Sequence, residues 1–176
     1  MNCIAKITKE IKEFKMIVGI VGAGAWGTAL AIMSARSGNK VVLLSHSGSV
    51  YEFEGVEIPD SITVTRYMNE LIDTDCWLIA TPARYFRETM QKSRDFYDCK
   101  PIIICSKGIE PTTNKFMSEI LNEEIPECED YGVLSGPQFA REAVMCVPTG
   151  TTLAGNETAI ECGKTAISNM YIEETD

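Results

Sequence analysis

Histidine is nearly missing from this chain: His46 is the one among 176 residues. Cysteines number seven, at 3, 76, 99, 105, 128, 146 and 162, an odd count with no Cys-x-x-Cys pair. These shortages speak against zinc, iron–sulfur and disulfide frameworks, so no metal is expected. The thiols read as reduced side chains of a cytoplasmic protein, with Cys76 and Cys105 packed as small apolar groups in strand-like runs. Basic charge is also scarce. Sixteen Lys and Arg against 25 Asp and Glu give a net charge of −9. That balance argues against a nucleic acid or an anionic membrane as partner, and any anionic ligand must be held by local donors. No apolar run reaches the length of a membrane span, and no secretory leader with an apolar core is expected.

What is present is ordinary in bulk and specific in detail. A hydrophobic fraction of 45% with 23% charged residues is that of a globular protein, and 176 residues can bury a real core. The informative stretch runs from Ile17 to Ala31. It reads as a buried strand, a turn with Gly22, Gly24 and Gly27, and an Ala-rich helix. In a dinucleotide site Gly22 permits the tight turn, Gly24 lets the backbone approach a pyrophosphate, and Gly27 lets helix and strand pack closely. The helix N-terminus then offers free N–H groups and a positive dipole end to phosphates. A plain tight turn between strand and helix is the competing reading, but the strand before and the helix after supply the context that the motif requires.

Residues 1–15, with lysines at 6, 9, 12 and 15, read as an N-terminal extension, and 16–176 as the domain. From Met16 onward strands and helices alternate, which predicts an α/β, Rossmann-like, doubly wound and mostly parallel sheet. Strands are expected at 17–21, 41–44, 63–65, 77–80, 102–105, 132–135, 151–154 and from 171. The runs Trp77–Ala80 and Ile102–Cys105 are continuously apolar, as in central strands covered on both faces. Helices are expected over 26–37, 67–72, 85–97, 113–122, 137–143 and 158–168. An irregular stretch fills 45–60, and Gly38 reads as a left-handed helix stop.

At the end of the second strand a site for NAD usually carries a carboxylate for the ribose hydroxyls. Here the residues are Ser45-His46-Ser47-Gly48-Ser49. Hydroxyls and an imidazole suit a 2′-phosphate, so NADP fits at least as well as NAD, unless these are turn residues only. Lys107 follows a buried strand at the carboxyl edge, where ligands of such sheets bind, and reads as a point charge for a phosphate or a polarised carbonyl. A solvent-exposed loop lysine is its alternative. Ser135-Gly136-Pro137-Gln138 also leads from strand to helix, and is either a second anion cradle or a structural turn. Trp26 either walls the cleft or packs on its own helix. Arg84 and Arg141 either reach a phosphate or, as the first reading, make surface pairs.

Three segments in this order resemble the NAD(P)-dependent glycerol-3-phosphate dehydrogenases of bacterial type. They are Gly22–Ala31, Ser106–Glu110 and Leu134–Glu142, and the resemblance extends from Met16 to Asp176. It implies a small-molecule substrate, dihydroxyacetone phosphate or glycerol 3-phosphate, a role in phospholipid synthesis, and NADP or NAD as cofactor. It further implies that Gly22, Gly24, Ala25, Trp26, Gly27, His46, Lys107 and Ala140 meet the cofactor. Lys107, Gly136 and Gln138 would hold the substrate. The segment between His46 and Trp77 is shorter than in the family and lacks its Asn-x-x-Leu-Pro pattern. The family's catalytic lysine lies in a Gly-Gly-Ala-x-Lys-Asn stretch that opens a helical second domain, and this sequence does not contain it. The expectation is therefore a cofactor-binding half without that helical domain, holding no catalytic residue of its own and inactive alone. A nucleotide-binding module without catalysis and a reductase of ketopantoate or 6-phosphogluconate type are the alternatives. Without a covering domain, apolar surface around Pro148–Leu153 or Tyr171-Ile172 is expected to be exposed and to favour a homodimer.

Overall fold

The computed structural model describes residues 14–168 and 171–175. The extension expected over 1–15 lies, apart from Phe14 and Lys15, outside them. The elements are β1 (Ile17–Val21), α1 (Ala25–Arg36), β2 (Lys40–Leu44), β3 (Ile62–Thr65), β4 (Cys76–Ile79) and α2 (Ala83–Ser93). There follow β5 (Ile102–Ile104), α3 (Met117–Glu124), β6 (Tyr131–Ser135), α4 (Ala140–Val144), β7 (Gly150–Gly155), α5 (Glu157–Ala166) and β8 (Tyr171–Thr175). They form one sheet in the order β3-β2-β1-β4-β5-β6-β7-β8, parallel except where β7 runs antiparallel to β6. This is the doubly wound sheet that the alternation implies. The chain moves outward from β1 to β3, then returns to the other side of β1 as β4. Between β1 and β4, at the carboxyl ends, lies the crevice that such a reversal creates.

Alternation along each strand divides the core. Val18, Ile20, Val41, Leu43, Cys76, Leu78, Ile103 and Cys105 pack with Leu30 and Met33 of α1 and with Ala159 and Ile160 of α5. Their neighbours Val21, Val42, Trp77, Ile79, Ile102 and Ile104 pack with Phe86 and Met90 of α2 and with Ile120 and Leu121 of α3. Because both faces are covered, the central strands have no polar face to show, which explains their unbroken apolar runs. Burial pushes the Cys105 thiol well above its usual range, and a hydrogen bond with Cys162 followed by burial does the same for Cys76, so both stay neutral and packed.

Four expectations need correction. The helix expected over 113–122 starts only at Met117, because Asn114 takes a left-handed φ of 58° and Ile109 bridges Phe116 across the loop. The helix expected from Pro137 starts at Ala140, since Phe139 is extended. The segment at 67–72 is a 3-10 turn over Met68–Leu71, and α2 passes into another at Arg94–Phe96. The expected exposure of Leu153 is absent: it is fully buried beneath α5, while Phe139, Met145 and Val147 are the exposed apolar side chains nearby.

Candidate functional site

The turn from β1 to α1 is built by three glycines in three different ways. Gly22 has φ +109°, its N–H donates to the Leu44 carbonyl at 3.1 Å, and a Cβ there would lie 2.9 Å from the Ala80 oxygen. Gly27 sits so close to the turn that a Cβ would meet the Gly22 oxygen at 1.8 Å. Gly24 is the opposite case. It is exposed, and nothing lies within 4 Å of where its Cβ would be. Gly24 caps α1, whose first turn holds no acidic residue, so the leading N–H groups of Ala25 and Trp26 face that open space without a repelling charge. The Thr28 hydroxyl donates to the Ala23 carbonyl and accepts from the Tyr51 N–H, both at 3.1 Å, and so ties the turn to the 45–60 loop.

At the end of β2 the serines form a hydroxyl cluster. Ser45 is buried, 3.3 Å from the Ser47 oxygen, and donates to the Ser49 carbonyl; Ser47 and Ser49 oxygens are 2.7 Å apart. His46 stands exposed among them. Arg66, the first residue beyond β3, lies against this loop: a Cβ on Gly48 would be 3.1 Å from its Cδ.

Past β5, Lys107 spans the cleft. Its Nζ donates to the Gln138 carbonyl at 3.0 Å and stands 5.3 Å from the centre of the Trp26 ring. Gln138 is itself buried, with Nε2 donating to the Gly150 carbonyl at 3.1 Å. A hollow of about 440 Å³ opens beside Lys107, lined by Ser106, Phe116, Ser118 and Ser135 among others. The loop carrying Lys107 is fastened from behind. Arg87 of α2 grips Glu110 with Nε and Nη2 at 2.8 and 2.9 Å and reaches Glu123 and Glu124 of α3. That guanidinium, with the Thr113 hydroxyl, holds the Glu110 carboxyl down at about 2.

Among the described residues four buried polar side-chain atoms lack a partner; Asn39 Oδ1 lies ahead of β2 at the other end of the sheet, and three lie at this edge. Trp26 Nε1, Thr81 Oγ1 and Gln138 Oε1 follow β1, β4 and β6 respectively. Such groups cost free energy unless something satisfies them, and three of the four at this edge are what a polar ligand there would meet. An open glycine at a helix N-terminus, local donors and unsatisfied polar atoms together fit a dinucleotide.

Of the residues singled out from the sequence, the structure brings Trp26, Lys107 and Gln138 together, with Gly136 beside Gln138. Ala25, Trp26 and Ala140 pack on one small cluster with Ala29 and Val144. His46 lies apart, beyond β2. Arg84 stacks over the Tyr85 ring at 4.7 Å instead of forming an ion pair. Thr81 and Arg66 escaped the sequence reading. Both immediately follow a strand at the ligand-binding edge or stand one residue beyond it, and that position was the signal available.

A reversal in strand order with a ligand-ready glycine turn at the reversal defines a dinucleotide-binding domain of the Rossmann class. Residues 17–161 match the family described as NAD-dependent glycerol-3-phosphate dehydrogenase N-terminus, and the chain belongs to that family. A glycerol-3-phosphate dehydrogenase [NAD(P)+] of Afipia carboxidovorans is 38% identical over 151 residues, 80% of this chain and 46% of the relative. Its counterpart in Hyphomonas neptunium is 34% identical over 166 residues, 88% of this chain and 48% of the relative. The crystal structure of glycerol-3-phosphate dehydrogenase from Coxiella burnetii superposes with a TM-score of 0.80 at 26% identity, covering 93% of this chain and 55% of that one. The chain thus spans about half the length of the curated relatives it matches. NAD or NADP is the cofactor that this family takes.

Proposed function

We propose that the chain, as one unit over 16–176, is the cofactor-binding half of a glycerol-3-phosphate dehydrogenase. Such an enzyme interconverts dihydroxyacetone phosphate and glycerol 3-phosphate and feeds phospholipid synthesis. The observation that carries this reading is Lys107, held between the Trp26 ring on the cofactor side and the Gln138 carbonyl on the substrate side. The pyrophosphate rests over Gly24 against the N–H groups of Ala25 and Trp26, while Gly22 and Gly27 shape the turn. His46 stands at the adenosine end, and Ala140 closes the wall behind Trp26. Gly136, Gln138 and Lys107 orient the phosphorylated substrate, with the lysine charge close to its polar end. The bound dinucleotide supplies the hydride.

Among the described residues six cysteines stand outside any disulfide, which accords with a cytoplasmic setting. The exposed Phe139, Met145 and Val147 support a homodimer. Titration of the purified chain with NADPH and NADH, followed by assay with dihydroxyacetone phosphate, tests the proposal. Micromolar binding without turnover is expected. Turnover at an ordinary enzymatic rate refutes the need for a lysine outside these residues, and failure to bind either nucleotide refutes the cofactor reading. Sedimentation of the same sample as a monomer removes the dimer.

A further inference from the structure

Among the described residues, Arg66 is a cation that lies against the serine loop with no task assigned to it so far. The parallel pairing of β2 with β3 sets Leu44 opposite Thr65, and the Ser45 N–H donates to the Thr65 carbonyl at 2.8 Å. The residue that follows β3 is therefore delivered beside the loop that leaves β2. Its stem lies over Gly48: a Cβ there would stand 3.1 Å from Cδ, 3.5 Å from Cγ and 3.9 Å from Nε of Arg66. Gly48 has φ +81°, a conformation that exposes its peptide and leaves room for the arginine.

Among the described residues no hydrogen bond or ion pair engages the Arg66 guanidinium, and the side chain is exposed. Ser47 and Ser49, which flank Gly48 in the chain, and His46 are exposed as well. No carboxylate occurs in the run Ser45–Ser49. Glu88 of α2 lies within electrostatic reach of His46, but Lys92 already pairs with it at 2.5 Å. The grouping is thus donor-rich and positioned beyond β2, where the adenosine ribose of a dinucleotide falls in this fold class.

We infer that Arg66 selects NADP(H) over NAD(H) by forking onto the ribose 2′-phosphate, with Ser47 and Ser49 hydroxyls completing the grip. The inference rests on the dinucleotide reading of the glycine turn. A guanidinium suits this task because its planar donor pair matches two phosphate oxygens, which a lysine cannot do. Where a carboxylate after β2 would accept from the 2′-hydroxyl and repel a 2′-phosphate, the run Ser45–Ser49 holds hydroxyls and an imidazole with no carboxylate.

The test is a set of dissociation constants for NADPH, NADH and 2′,5′-ADP on the full chain and on Arg66→Ala and Arg66→Lys. The unaltered chain is expected to bind NADPH about tenfold more tightly than NADH. Arg66→Ala should weaken NADPH and 2′,5′-ADP by about tenfold and leave NADH within about twofold, with Arg66→Lys between the two. Equal weakening of NADPH and NADH, or no change in either, overturns the role of Arg66. Failure of the unaltered chain to bind any of the three overturns the dinucleotide reading instead, so the two failures are distinguishable.

Discussion

The turns after β1 and after β6 leave the same edge of the sheet, and each places a glycine just ahead of a helix. They differ in what occupies the glycine's empty side. Beyond Gly24 there is open space, and a helix of 12 residues follows. At Gly136 a Cβ would lie 2.7 Å from Gln138 Nε2 and 3.1 Å from the Gly150 oxygen, and only a five-residue helix follows. No group of the chain requires the first glycine to be small. The second is small because the protein's own groups already stand there. A Gly in a strand-to-helix turn is therefore no evidence of a phosphate site until its surroundings are known.

The strongest blow to this contrast falls on Gly27, where backbone stands 1.8 Å from the missing Cβ. Gly27→Ala is expected to cost about 3 kcal/mol or more in urea unfolding, since neither the turn nor α1 can give way. A loss below about 1 kcal/mol would show that the turn is looser than its geometry. Next comes a crossed pair. Gly24→Asp places a good N-cap residue on an extended backbone and should keep or slightly raise the unfolding midpoint. Its charge faces the phosphates, so NADPH affinity should fall by about thirtyfold or more. Gly136→Ala should do the reverse, lowering stability by about 1–2 kcal/mol while NADPH affinity stays within about threefold. If Gly136→Ala spares stability and abolishes nucleotide binding, the two turns are alike after all.

The turn after β5 stands between these cases, because ion pairs hold it instead of packing. The Glu110 carboxyl sits at about 2 in the fold against an ordinary value of 4.5, so its stabilising contribution is complete above that ordinary value and is lost as pH falls toward about 2. The gap in melting temperature between the unaltered chain and Glu110→Gln should be widest above about pH 5 and narrow below about pH 4.5. A gap independent of pH would mean that Arg87 holds this loop by packing alone. This is the smallest of the expected effects, since Glu123 and Glu124 keep Arg87 occupied.

Most of the sheet was legible because its strands are buried on both faces, and continuous apolar runs such as Trp77–Ala80 leave little else to choose. The glycine turn was legible for a related reason: backbone geometry imposes glycine at Gly22 and Gly27 whatever the ligand. The late start of α3 was not legible, because the left-handed turn at Asn114 and the bridge from Ile109 to Phe116 depend on contacts within the loop. Nor could periodicity give the direction of β7, since an antiparallel strand buried on one side reads like a parallel one. Arg66 was missed because its meaning comes from β2–β3 register, a pairing of residues about twenty apart in sequence.

One hydroxyl gives the cleft a property that neither of its walls has alone. Thr28 is fully buried, with one bond toward the glycine turn and one toward Tyr51 in the loop. The segment that leads away from the serine cluster is therefore fastened to the cradle before any ligand arrives. A long nucleotide that touches both ends meets a surface already assembled, and the entropy of arranging it has been charged to folding instead of to binding.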